Sequence, residues 1–559
     1  MHFKAELDDS GHVKIFWKGQ EVTPAGGLAT GFTPRAGRIV LGARTGGSWE
    51  ATHIDNIKLT TAPFTSAFIS GFRPNAGGFT VEISDVGTTV LDTASLALQL
   101  NGTAITPTTV TKVGSTNFVR YAAPAPFAVG STNTVHISFK DNFGVATTAD
   151  RTFNPASYTT IPADYAATGV STAGSGFEVR LNQMDHGRTP GDANTIANAE
   201  RHLAARYIDP TTGQPYANLV PAGPDNGAYP VTVINWNQYP ASAGAAADIG
   251  NFRADGVGTQ AVADDPIPGI EPGPNNGDPS FPPYNDNIVA EATAYLDLPA
   301  GFYTFGVNSD DGFKVSAGHS PKNVLGLTLG SFNGGRGSSD TLFDVYVPTA
   351  GVYPIRLLWW EGGGGANCEF FVINQVTGEK VLVNDRNATF VVKSYPTTSS
   401  RVPYVSRAIP ENNQLFVFAD QDVVAEITDG SAATVNASSV SLTVNGTPVT
   451  AAATKSGNVT TIKRTGSVTD LLKPADNTAS VVFSYTDGAS TVNVTNNWSF
   501  SVVPYAVIPA ANKVAAANVN KTDFTTFKAI VNQIDRSLDG NQGNGARLPN
   551  VGDQNRMPR

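Results

Sequence analysis

The sequence predicts an all-β protein with one minor helix, a multidomain chain of tandem β-sandwiches, and three observations carry that expectation. At 559 residues the chain is too long for one hydrophobic core. Its 56 Gly and 36 Pro, with only 15% charged residues, suit short strands and turns better than long helices. A hairpin signature also recurs: "SLALQLNGTAITPT" at 95–108 returns as "SVSLTVNGTPVTAA" at 439–452, each alternating apolar residues into an Asn-Gly turn and out again.

The recurrence extends downstream. "FNPASYTTIPA" (153–163) is echoed by "FSVVPYAVIPA" (500–510), and "FEVRLNQMD" (177–185) by "FKAIVNQID" (527–535), so a long-period duplication runs through the chain with offsets drifting from 344 to 350. Residues 61–160 and 398–507 carry short alternating runs with turn signals every 8–12 residues or so, the pattern of a small sandwich. Both resemble bacterial immunoglobulin-like domains in architecture, without the cysteine pair.

The largest unit, 165–396, holds one helix candidate in "GDANTIANAERHLAARY", where Asp192 or Asn194 is placed to cap and Ile196, Ala199, Leu203 and Ala204 recur at helical spacing. Dense Pro, Gly and acids in "DDPIPGIEPGPNNGDPSFPPYNDN" (264–287) read as a long surface loop. Residues 1–60 are short for a domain, and "GRIVLGARTGGSWEATHIDNIKL" (37–59) reads as two closing strands, similar to the C-terminal part of a concanavalin-like lectin jelly roll. Residues 511–559 repeat only the opening of the large unit, as the start of a second, incomplete module.

Composition excludes some functions. A net charge of −10 with no basic run argues against nucleic acid as partner. One cysteine, Cys368, excludes an internal disulfide framework and a multi-cysteine zinc site. No apolar run reaches about 18 residues, so no transmembrane segment is expected, and an export signal would lie outside this sequence. His-Glu-x-x-His, the phosphate-binding Gly-x-x-x-x-Gly-Lys-Ser/Thr, Cys-x-x-Cys and Gly-x-Ser-x-Gly are all missing, and the seven histidines are scattered, so no catalytic residue is assigned. "DGNQGNG" (539–545) has the every-second-residue spacing of a calcium loop but fails its glycine and glutamate rule.

The chemistry concentrates in "GFYTFGVNSDDGFKVSAG" (301–318). Tyr303, Phe305 and Val307 alternate with Thr304, Gly306 and Asn308, and Phe313 and Val315 resume the apolar face, which reads as a strand, an acidic turn and a second strand. Neighbouring strand residues point to opposite faces, so Asp310 and Asp311 share a cation only if the backbone bends sharply between them. Calcium takes about six to eight oxygens, so two aspartates need further donors. The loop "EGGGGAN" (361–367) offers Glu361 and Asn367 as oxygen ligands or hydrogen-bonding groups for hydroxyls. It follows Trp359 and Trp360; alternation turns one of these inward and leaves the other to stack on a sugar or a neighbouring domain.

Gly301, Tyr303, Phe305, Asn308, Ser309, Asp310, Asp311 and Gly312, with the later "GVYPIRLLWWEGGGGANCEFFVI" (351–373), give residues 165–396 a family likeness. The unit resembles the β-sandwich domain named after the anthrax toxin protective antigen, which also occurs in yeast flocculation adhesins and bacterial glycosidases. In its sugar-binding members, consecutive aspartates joined by a cis peptide hold calcium, and the calcium contacts sugar hydroxyls. The resemblance therefore implies calcium as cofactor and Asp310 and Asp311 as its ligands; other members bind no sugar at this turn.

The resulting expectation is a non-catalytic, extracellular or cell-surface bacterial protein for adhesion or extracellular structure, with glycans or cell-surface polymers, or copies of itself, as partners. Two alternatives stay open: a repeating subunit of a filament or surface layer assembled through incomplete terminal modules, and an accessory region of a polysaccharide-degrading enzyme.

Overall fold

The computed structural model describes residues 3–7, 12–17, 20–24, 28–29, 65–184, 194–220, 229–238, 265–270, 286–396 and 399–507. The ribbon at 37–59, the module at 511–559 and its "DGNQGNG" loop lie outside the described residues. Among the described residues the chain is all-β, with seven sheets and a single α-helix. No helix among them is long and apolar enough to cross a membrane.

The chain divides into two compact units, Met1–Tyr158 with Asn374–Glu379, and Thr159–Ile373 with Lys380–Arg559. In the first, the described N-terminal strands form a small antiparallel sheet built on Phe3–Leu7 and His12–Trp17. A two-sheet sandwich follows, four strands to a sheet, closed around Phe79, Val81, Ile83, Val119, Val135 and Ile137. Strand Asn133–Asp141 shows why it folds this way: its burial alternates residue by residue, placing Val135, Ile137 and Phe139 in the core.

In the second unit, a sandwich at residues 404–502 repeats that plan with a four-stranded and a five-stranded sheet. Both copies turn their hairpin on Asn-Gly with positive φ at both positions: 50° and 80° at Asn101 and Gly102, 50° and 78° at Asn445 and Gly446. Such φ values match a two-residue turn to the twist of its strands. In each copy the turn asparagine also accepts from a neighbouring strand, Asn101 Oδ1 from the Thr134 N–H at 2.8 Å and Asn445 Oδ1 from the Thr478 N–H at 3.0 Å.

The central sandwich has two seven-stranded sheets. One sets Gly301–Asp310 (the acidic strand) between Ser339–Val347 and Asn367–Ile373. The other runs Phe177–Gln183, Ile288–Leu298, Gly351–Glu361 (the tryptophan strand) and Gly312–Ala317 side by side. Between them lies one core containing Phe177, Trp236, Phe305, Phe313, Tyr353, Trp359 and Phe370.

Ile288–Leu298 and the tryptophan strand are buried at nearly every position, not at alternate ones. The reason is α1, Ile196–Leu203, whose Ile196, Ala199 and Leu203 pack on Val289, Leu358 and Trp360 across the outer face of the sheet. Each large apolar side chain so covered contributes roughly 1.5–3 kcal/mol. The helix is capped by neither expected residue: Thr195 Oγ1 accepts the Asn198 N–H at 3.1 Å, the reach that N-capping requires. Asp192 lies outside the described residues, and the Asn194 side chain is turned to Asp311.

One further expectation changes in part. Of 264–287, residues 271–285 lie outside the described residues; Asp265–Pro266 forms an exposed two-residue strand parallel to Asn235–Asn237, and Ile267 and Ile270 enter the core, so 265–270 is anchored to the sandwich. Apolar anchors here outweigh the flanking prolines. Within the second unit, the loop between Gly312–Ala317 and Leu327–Phe332 docks on the following sandwich: Leu325 joins that core, and Asn323 Nδ2 donates to Asn496 Oδ1 at 2.7 Å. Glu411 of that sandwich is paired with Arg206 at 2.6 Å and Arg201 at 3.4 Å, at the end of α1.

Candidate functional site: a buried carboxylate cluster

Asp310 ends the acidic strand and Gly312 starts a strand of the opposite sheet, so the two aspartates lie where the chain crosses between sheets. The sequence pattern correctly separates two strands at an acidic turn, but these strands do not pair with each other. Asp310 faces Asn367 in register, and Gly312 faces Trp360. The crossing is pinned from the tryptophan strand: Asp311 N–H donates to Trp360 O at 3.1 Å, and Trp359 Nε1 donates to Asp310 O at 3.0 Å. The Asp310–Asp311 peptide bond is cis. Gly312 is required by space, since a Cβ there would lie 2.2 Å from the Trp360 ring.

Far from standing at an exposed tip, Asp310 and Asp311 are each 5% exposed, and Glu361 at the end of the tryptophan strand is 1% exposed. One carboxylate oxygen from each of the three lies within 4.8 Å of the others. Asp311 is well supplied with donors: Oδ1 accepts the Arg336 N–H at 2.7 Å, Oδ2 the Gly362 N–H at 2.9 Å, and Asn194 adds a side-chain hydrogen bond. Glu361 is not: both its oxygens are buried without a hydrogen-bond partner.

Electrostatics follow from this. Burial, then the charges of Asp311 and Asp310, push the Glu361 carboxyl well above the usual range; the Gly363 N–H eases the shift without reaching hydrogen-bond geometry. Burial also raises Asp311, partly offset by the Gly362 and Arg336 amides. Arg336 attracts Asp310 and Asp311 only at a remove, its guanidinium donating to Ser309 O at 3.2 Å, Ser309 Oγ at 2.8 Å and Thr341 Oγ1 at 2.7 Å. Three crowded carboxylates with an all-oxygen donor set can accept a hard divalent cation, which would relieve their repulsion.

Asn367 stands beside the cluster, 1% exposed; its Nδ2 donates to Asn308 Oδ1 at 2.9 Å while its Oδ1 is buried without a partner. The structure thus brings Asp310, Asp311, Glu361 and Asn367 together. It does not free a tryptophan. Trp359 is buried in the core and Trp360, 2% exposed, lies under α1, so neither is available for stacking on a ligand. Alternation did send them to opposite faces; the helix then covered the second face.

Sequence reasoning missed Asn194 and Arg336. Asn194 packs against Gly335 and Gly362, and a Cβ on Gly362 would lie 2.2 Å from its Oδ1. Neither residue carries a local signal, because each reaches Asp311 only through the packing of α1 and of the loop after Phe332.

No protein-family model and no curated protein matches the chain. Solved structures with similarity include a PA14 sugar-binding domain from an RTX adhesin, at 17% identity and TM-score 0.23, spanning 38% of this chain and 95% of that one. Another is the PA14 domain of the MpAFP antifreeze protein, at 14% identity and TM-score 0.22, spanning 41% and 97%. A third is the epithelial adhesin 6 A domain of Candida glabrata in complex with Galb1-3GlcNAc, at 13% identity and TM-score 0.23, spanning 39% and 87%. At such identities and TM-scores these names assign nothing to this chain.

Proposed function

We propose that this chain is a non-catalytic adhesion or extracellular structural protein whose central sandwich holds a divalent cation between Asp310, Asp311 and Glu361. Calcium suits an irregular, oxygen-only donor set, and the Asn367 carbonyl can add to it. The observation that carries the reading is Glu361, a carboxylate 1% exposed, facing two more carboxylates, with neither oxygen hydrogen-bonded. A buried charge of this kind costs several kcal/mol unless it is neutralised or paired.

In the finer form of the proposal the protein works at a bacterial cell surface, and the bound calcium meets the hydroxyls of a glycan partner. A second reading, favoured by the near-complete burial of all four residues, has the cation bracing the sheet crossing without touching a sugar. Titration of the metal-free full chain with calcium, followed by calorimetry, tests the cation. Heat of binding that is absent in Glu361→Gln and Asp311→Asn is expected; no heat at millimolar calcium would overturn the site. A glycan array probed in excess calcium and in EDTA then separates the two readings, since only a sugar-contacting cation makes binding chelator-sensitive.

A further inference from the structure

A cavity of about 330 Å³ opens within the second unit, where strands Phe177–Gln183 and Ile288–Leu298 and the end of α1 meet strand Tyr404–Ile409 of the following sandwich. That volume falls at the lower end of the range of about 300–1,000 Å³ for small-molecule sites, which favour domain junctions. Its walls are braced by Leu325 in the neighbouring core and by the Arg206–Glu411 pair, so the space does not depend on a ligand to open.

The polar lining is internally matched. Arg180 Nε donates to Glu291 Oε2 at 2.7 Å, and Lys322 Nζ to Glu178 Oε1 at 3.4 Å. Glu200, the remaining carboxylate of the wall, is held by both terminal nitrogens of Arg356. With acids and bases paired, the cavity offers no net charge to attract an ion. Polar side chains still line it: Glu178, with Oε2 buried and unpartnered just behind the wall, Asn218, and from the second sandwich Tyr404 and Ser406, which share hydrogen bonds with Thr428. Val179, Leu203 and Val324 supply apolar patches between them.

An occupant must therefore be neutral, carry several groups that both donate and accept, and present C–H surface between them. We propose that this cavity seats one neutral polyhydroxylated ring, a monosaccharide unit, independently of the carboxylate cluster. Charged ligands would meet no unpaired counter-charge, and purely apolar ones would displace water from the polar lining without replacing its hydrogen bonds.

The test is ligand-observed NMR and calorimetry on the full chain, with methyl glycosides of glucose, galactose, mannose and N-acetylglucosamine, in calcium and in EDTA. The expected result is binding of at least one glycoside, equal in the two buffers, weakened tenfold or more in Tyr404→Ala and in the near-isosteric Glu178→Gln, and unchanged in Glu361→Gln. Melting curves, together with Tyr404→Phe, which keeps the ring, separate lost binding from lost folding. Failure of every glycoside to bind would overturn the proposal. So would binding that disappears in EDTA or in Glu361→Gln while ignoring Tyr404 and Glu178, an outcome that leaves the cation site standing and moves the sugar to it.

Discussion

Two buried acidic clusters touch opposite parts of the α1 region, and they differ in how their charge is balanced. At Glu200 and Glu291 the counter-charge is built in: Arg356 reaches both, 2% exposed, and Arg180 holds Glu291 from the other side at 2.7 Å. Burial pushes Glu291 up, yet the charges of Arg180 and Arg356 outweigh it and hold the carboxyl at about 2. At Asp310, Asp311 and Glu361 the described residues supply only the weak attraction of Arg336 to the aspartates, its guanidinium being bonded to Ser309 and Thr341, and Glu361 is driven upward. A similar grouping of carboxylates is a paired structural clasp in one place and, in the proposed function, a cation site in the other. What differs is how much positive charge the chain itself brings to the carboxylates.

The largest effect should come from breaking the clasp. Arg356→Leu leaves Glu200 without its partner in the interior and should cost about 3–5 kcal/mol in urea unfolding, as for other broken buried pairs. A loss under about 1 kcal/mol would mean that the network is not what secures this face. Acid should act on the same cluster. Since Glu291 is held at about 2 against an ordinary 4.5, its contribution is complete above about 4.5 and is lost as pH falls toward about 2. On the order of 3 kcal/mol should disappear over that window, read as a falling midpoint in pH-dependent denaturation, and Glu291→Gln should flatten the curve.

Calcium should act on the other cluster alone. Added at about 100 times its dissociation constant it should stabilise the chain by about 2.7 kcal/mol, reversibly with EDTA. The effect should survive Glu291→Gln and vanish in Glu361→Gln. The smallest effect sharpens the contrast most. In EDTA, Glu361→Gln should change stability by no more than about 1 kcal/mol and in the upward direction, because it removes one of three crowded charges. Clear destabilisation in EDTA would make Glu361 a structural residue like Glu291.

Much of this was legible in the chain. Alternation around Phe305 and Val307 placed the acidic strand, the Asn-Gly pairs placed both duplicated hairpins, and the neighbouring aspartates with the glycine loop at 361–367 marked the cluster. Alternation also sent Trp359 and Trp360 to opposite faces, yet could not tell that α1 would cover the second. That fact depends on a segment more than 150 residues away in sequence.

What could be read from the chain is local: strand periodicity, turn chemistry, the repeat and the identity of the carboxylates. These follow from φ preferences and side-chain alternation within a few residues. Packing across the fold makes Asp310 and Asp311 bridge two sheets in a buried interior, brings Glu361 to them while Arg356 is committed to Glu200 and Glu291, and closes a polar cavity with a second sandwich. Burial and charge pairing are set by what packs from elsewhere in the chain, and they separate an acidic turn from a site.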